Sequence, residues 1–139
     1  MEVYEMKKSR RQIAREQAII GIYQHLLVDN TIEDIYGFLS ENDVLLNDED
    51  LMRFSKWLVK TTIDNYQSYR MLIEKYLKKG WTIDRISKME QAILLIAVCE
   101  ILESDLDEKI VINEAVINAK EFCDEDSYKF INGVLHKIV

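Results

Sequence analysis

Residues 92–99 read AILLIAVC, an unbroken apolar run between Gln91 and Glu100. The run is far short of the roughly 20 residues that cross a bilayer. At about 100° per residue its side chains point in every direction around a helix. A helix that is apolar all round must be enclosed by other elements. A second stretch makes the same demand. In a helix predicted from about Ser9 to Asp29, Ile13, Ala14, Ala18, Ile19, Ile20, Ile22, Tyr23, Leu26 and Leu27 cover most of the circumference. Two enclosed helices predict an all-α body of two small bundles packed together, each built around one of them. With no proline and only four glycines, collagen, proline-rich linkers and turn-dense β folds are excluded.

Capping chemistry marks the other helices. Ser9 is a suitable N-cap for the first. Thr31 with Asp34 resembles a capping box and opens a helix over about 32–41, with Ile32, Ile35, Tyr36 and Leu39 inward. Asn47 followed by Asp48, Glu49 and Asp50 places acids at the positive end of a helix dipole; Leu51, Phe54, and Trp57 or Leu58 follow at helical spacing. A break is expected near 64–68. Tyr69, Leu72, Ile73, Tyr76 and Leu77 then make a further amphipathic set, stopped by Lys78, Lys79 and Gly80. Thr82 or Asp84 is the expected cap of the apolar helix through Glu103. Two last helices, about 110–122 and from Asp124–Asp126 to about Ile138, complete six or seven. The expected organisation is one domain over 1–139, with halves at about 1–80 and 81–139.

At 139 residues a single domain buries about two-thirds of its unfolded surface and needs no metal or disulfide to hold it. Cys99 and Cys123 are the only cysteines and lack C-x-x-C spacing, which speaks against a zinc site and for a reduced, cytoplasmic setting. The opening MEVYEMKKSRRQ has no apolar core of the secretory kind. His25 and His136 stand alone, with no second ligand one turn away. Phosphate-binding loops, dinucleotide fingerprints and serine-nucleophile elbows are absent from the sequence. No cofactor, metal or catalytic group is therefore expected.

Charge is unevenly placed. The net value is −7, yet Lys7, Lys8, Arg10, Arg11 and Arg15 follow one another without an acid among them. From Glu16 to Met52 there is no lysine or arginine at all. A basic end on an acidic body reads either as one anion-binding patch or as a solvated helix end. Lys8, Arg11 and Arg15 fall within about 60° on the wheel, and their stripe continues as Ala18, Ile22 and Leu26. On the last helix Tyr128, Ile131, Leu135 and Ile138 form the inward stripe. Phe130 lies about 120° from its centre, beside Gly133 and Lys137. It either packs on another helix or offers a ring on which an unpaired base can stack.

Three C-terminal segments, KMEQAILLIAVCEIL, KIVINEAVINAKEF and DEDSYKFINGVLHKI, together with SRRQIAREQAIIGIYQ and the Trp81/Arg85 pair, resemble the NusB-type transcription antitermination factors over nearly the full chain. The pairing of INEAV with DSYKFINGVL carries most of that resemblance, and residues 30–80 carry the least. The resemblance implies an all-helical, non-enzymatic protein of two helical subdomains. It implies binding to the boxA segment of nascent ribosomal RNA transcripts together with ribosomal protein NusE, and through that complex an indirect action on the RNA polymerase elongation complex. Homodimerisation is also known among such proteins.

By motif position the resemblance implies RNA contacts from Arg10, Arg11, Arg15, Tyr23, Asp126, Lys129 and Phe130. It places Asp84 and Glu90 on the NusE-facing side. Gln12 and Ile13 dilute the arginine run; Leu95 and Cys99 replace an arginine and a tyrosine of the family pattern. The competing expectation is a helical protein–protein adaptor without RNA contact, using the acidic face of residues 29–50 or the 84–103 helix.

Overall fold

A computed structural model describes residues 8–139; Lys7, counted above in the basic run, lies outside the described residues. Helix α1 (Arg10–Val28) begins at Ser9, whose Oγ accepts from Gln12 N while the Gln12 side chain accepts from Ser9 N. Gln12 is thus half of a capping box, a structural reason for its place in the arginine run. Helix α2 (Ile32–Leu39) starts with the expected Thr31/Asp34 box. One turn, α3 (Asp43–Leu46), follows, and Asp48 caps α4 (Glu49–Asp64). Asn65 alone interrupts the chain before α5 (Tyr66–Lys75). Gly80, at φ 86°, takes the left-handed conformation that glycine adopts without steric cost.

The apolar helix α6 (Lys88–Glu103) begins later than expected. Thr82 precedes only a 3-10 turn, Ile83–Arg85, and makes no side-chain cap there. The cap of α6 is Ser87, in a reciprocal box with Glu90. Helices α7 (Glu108–Phe122) and α8 (Ser127–Ile138) close the chain. The described residues therefore contain eight α-helices rather than six or seven. The added helix is α3, too short to show a period, while the break expected near 64–68 falls at Asn65.

Of the two helices expected to be enclosed, α6 is and α1 is only in part, with Ile13, Ile20, Tyr23 and Leu26 half-buried and Leu27 exposed near its C-terminal end. In α6 every residue from Gln91 to Glu100 is buried, and α1 packs against α2, α4 and α6. Helix α6 in turn touches α4, α5, α7 and α8, while α7 and α8 pack closely on each other. Leu95 and Cys99 are fully buried, so both departures from the family pattern are changes of packing. Full burial of a leucine or isoleucine of this kind contributes about 1.5–3 kcal/mol. Gly21 lets α1 approach α2, since a Cβ there would come within 2.7 Å of Ile35 Cγ2. No helix among the described residues is long and apolar enough to cross a membrane.

Two inward faces differ from the expected ones. On α8 the buried residues are Ile131, Val134 and Leu135. Including Val134 turns the stripe by about 30°, so Phe130 is about 90° from its centre rather than 120°. Phe130 is accordingly half-buried against the edge of the core, still partly open to solvent. On α7 Ile112 and Asn118 are buried, whereas Val116 is only half-buried.

Candidate nucleic-acid interface

The cationic end of α1 is held from two sides. Arg10 Nη2 donates to Asp48 Oδ2 at 2.7 Å, while most of its side chain stays in solvent. That hydrogen bond holds the Asp48 carboxyl below the usual carboxylate range. The Arg11 guanidinium lies 3.7 Å from the centroid of the Phe54 ring. A stacked guanidinium keeps its in-plane N–H donors directed outward. Lys8 bridges Glu16 and Glu121, the latter at 2.8 Å, which ties this end of α1 to α7.

Arg15 is placed differently from the expectation. Its Nε and Nη2 donate to the two carboxylate oxygens of Glu100 at 2.5 and 2.9 Å, and Nη1 is 3.6 Å from Glu114. Both Arg15 and Glu100 are buried. Its guanidinium is committed to the interior of the fold and is not presented to a phosphate. The physical reason is that the basic stripe runs down α1 into the junction with α6, where Glu100 meets it. Arg15 is thus a buried structural tie, unlike the exposed guanidiniums of Arg10 and Arg11.

The second part of the interface is an open cleft of about 360 Å³ where α1, the start of α6 and the α7–α8 turn meet. Tyr23 and Leu27 form one wall, Ser87 to Glu90 another, and Phe122, Cys123, Asp124 and Ser127 the third. Glu90 thus faces the same cleft as Tyr23. Asp84 is not among the lining residues; it sits on the 3-10 turn with Arg70 Nη2 3.3 Å away. Asp126 and Lys129, at the start of α8, are highly exposed and 3.7 Å apart. Asp126 makes no side-chain cap, which leaves its carboxylate available. Burial, with the charges of Glu90 and Asp124 adding to it, pushes the Cys123 thiol up to about 11.

These two parts have different chemistry. Arg10 and Arg11 suit phosphate oxygens. Carboxylates such as Glu90 and Asp126 repel phosphate but accept hydrogen bonds from base amino groups. Tyr23 in the cleft, and the open part of Phe130 on α8 outside its lining, offer rings to unstacked bases. From Arg10 to Tyr23 the rise along α1 is about 20 Å. Sequence reasoning named Tyr23 and Glu90 but missed Met89, Phe122 and Cys123, because only the folded chain brings the start of α6 against the α7–α8 turn. Among the described residues no set of three His, Cys, Asp or Glu side chains is arranged to hold a metal.

Fold and site define a class of small all-α proteins that present a two-part open surface, cationic at one end and acidic–aromatic at the other. Residues 12–139 match the NusB family. A transcription antitermination protein NusB of Ligilactobacillus salivarius is 44% identical over 111 residues, covering 80% of this chain and 82% of that protein. Its counterpart in Staphylococcus aureus is 40% identical over 130 residues, covering 92% and 97%. Among solved structures, T. maritima NusB superposes with a TM-score of 0.83 at 28% identity, covering 96% of this chain and 92% of that one. A chain from a crystal structure of antitermination factors NusB and NusE in complex with double-stranded RNA gives 0.82 at 28% identity, covering 93% and 95%. The chain belongs to the NusB family.

Proposed function

We propose that this protein is a cytoplasmic, non-enzymatic transcription antitermination factor. It binds boxA-type single-stranded RNA of nascent ribosomal RNA transcripts together with ribosomal protein NusE, and through that complex acts indirectly on the RNA polymerase elongation complex. Two helical halves, about 1–80 and 81–139, make up the one domain, with α1 spanning the junction. The observation that carries the reading is the convergence of Tyr23, Glu90 and the 122–127 turn on one cleft, in a fold shared with a NusB chain solved with NusE and RNA. In this reading Arg10, Arg11 and Lys129 take phosphates, Asp126 accepts from base edges, Tyr23 and Phe130 stack, and Glu90 at the rim of the cleft faces NusE. Asp84, beside Arg70, is left for the NusE side. A stacked strand advancing about 3.4 Å per phosphate joins the two parts of the site with roughly six nucleotides.

The test is a titration of labelled boxA-like RNA with wild type, Arg11→Ala and Phe130→Ala, with and without NusE, at several salt concentrations. Three neutralised phosphates give a log–log salt slope of about −2 for a single strand. Arg11→Ala flattens it by about 0.7, and Phe130→Ala weakens binding at unchanged slope. Salt-insensitive behaviour common to all three proteins refutes the reading and favours an adaptor without RNA contact. Equal competition by a duplex of the same sequence refutes single-strand recognition.

A further inference from the structure

Helix α4 buries Leu51, Ser55, Leu58, Val59 and Thr62. Trp57 lies about 145° from the centre of that stripe and Phe54 about 85°. The indole is half-buried, with one part packed on the edge of the core and the rest open on the outward side, and it is not isolated. The Phe54 and Trp57 rings are stacked, with centroids 6.4 Å apart and planes at 21°. Arg11 covers the other end of the row, 3.7 Å from the Phe54 centroid. The order along the surface is guanidinium, benzyl ring, indole, and the indole ends it. Arg53 and Lys60, four residues before and three after Trp57, flank it on the outward face. Their carboxylate partners are Asp50 at 2.5 Å and Asp64 at 2.8 Å, in solvent-exposed pairs that water screens. Either cation can exchange its partner for a phosphate at little cost.

We propose that this strip of α4 is a second RNA site, which takes a single-stranded nucleotide flanking the segment bound at α1 and the cleft. Its base stacks on the Trp57 indole and its phosphate lies between Arg53 and Lys60. The inference rests on the RNA-binding function proposed above. It adds to that function a contact outside the core RNA segment, on a helix that carries none of the residues assigned there. Charge complementarity selects the occupant. An aromatic row edged by Arg11, Arg53 and Lys60 suits a polyanion whose bases are free to stack, on a chain otherwise rich in acid.

The experiment compares a boxA-like core strand with the same strand lengthened by a few uridines at its 5′ or its 3′ end. Wild type binds one lengthened strand about 5- to 150-fold more tightly, the range for one stacked base. Trp57→Ala removes that gain and leaves the core strand bound as before; Trp57→Phe keeps part of it. Indole emission is quenched by the lengthened strand in wild type and not in Trp57→Phe, where Trp81 still reports. If Trp57→Ala does not fold, the emission comparison together with the double variant Arg53→Glu/Lys60→Glu decides the matter. No gain at either end, an equal gain in wild type and Trp57→Ala, or loss of NusE binding without RNA in Trp57→Ala each overturns the proposal. Binding of the core strand separates this from the broader reading. If the core strand binds and lengthening adds nothing, only the α4 site falls; if neither strand binds, both fall.

Discussion

Replacing Arg15 by alanine distinguishes a buried tie from a nucleic-acid contact. The change leaves the Glu100 carboxylate, 1% exposed, without its bidentate partner. Glu114 keeps the hydrogen bonds from Gln12 Nε2 at 3.2 Å and is less dependent on Arg15. Removing one member of a buried pair costs about 3–5 kcal/mol, because the remaining charge stays desolvated. With an unfolding entropy near 2.1 cal/mol/K per residue, each kcal/mol is worth about 3.4 °C in a chain of this length. Arg15→Ala should therefore lower Tm by about 10–17 °C. The double variant Arg15→Met/Glu100→Leu, which replaces the pair with apolar groups, should melt above the single variant. Circular dichroism at 222 nm follows both, and RNA titration well below the variant's Tm completes the assay. The salt slope should equal that of wild type. A Tm within about 3 °C of wild type, combined with a slope flattened by about 0.7, would show that Arg15 reaches phosphate and that the buried-tie argument is wrong.

Gly21→Ala drives a Cβ to within 2.7 Å of Ile35 Cγ2, on a β-branched side chain with little rotamer freedom. Overpacking outweighs the gain in helix propensity, for a net loss of about 1 kcal/mol and a fall in Tm of about 3 °C; a rise in Tm would show that α2 yields. Ile112→Asp buries an unpaired carboxylate at a site 4% exposed and should abolish cooperative folding. Val116→Asp, half-buried beside Asn132 and His136, should cost much less; equal loss would mean that α7 is turned from the orientation described. Burial pushes the Cys99 thiol from its ordinary value of 9.0 to about 11. A folded-state value above the unfolded one means that the thiol supports the fold fully below about pH 9 and loses that support as pH rises towards 11. Melts across that window should show falling stability that Cys99→Ala reduces, and alkylation of the native protein at neutral pH should be slow; rapid labelling of Cys99 would contradict its burial.

The local pattern of the chain was sufficient to specify its helical class and the one helix, α6, that is enclosed all round. An apolar run without a polar face has one solution in water, and burial of every residue from Gln91 to Glu100 is that solution. The caps at Ser9 and Thr31 were legible for a similar reason, since each satisfies N–H groups within its own first turn, while the acidic run at 47–50 marked the start of α4 without singling out Asp48 as its cap. What depends on residues distant in the chain was not legible. Arg15 resembles its neighbours Arg10 and Arg11 in sequence; only the docking of α1 on α6 brings it to Glu100, 85 residues away, and withdraws it from solvent. Val134 changes the inward face of α8 and with it the exposure of Phe130, because the partners of that helix set its rotation. The cleft of Tyr23, Glu90 and Cys123, and the row of Arg11, Phe54 and Trp57, exist only where separate helices meet. Periodicity determines which face of a helix avoids water; tertiary packing decides which polar groups remain free to bind.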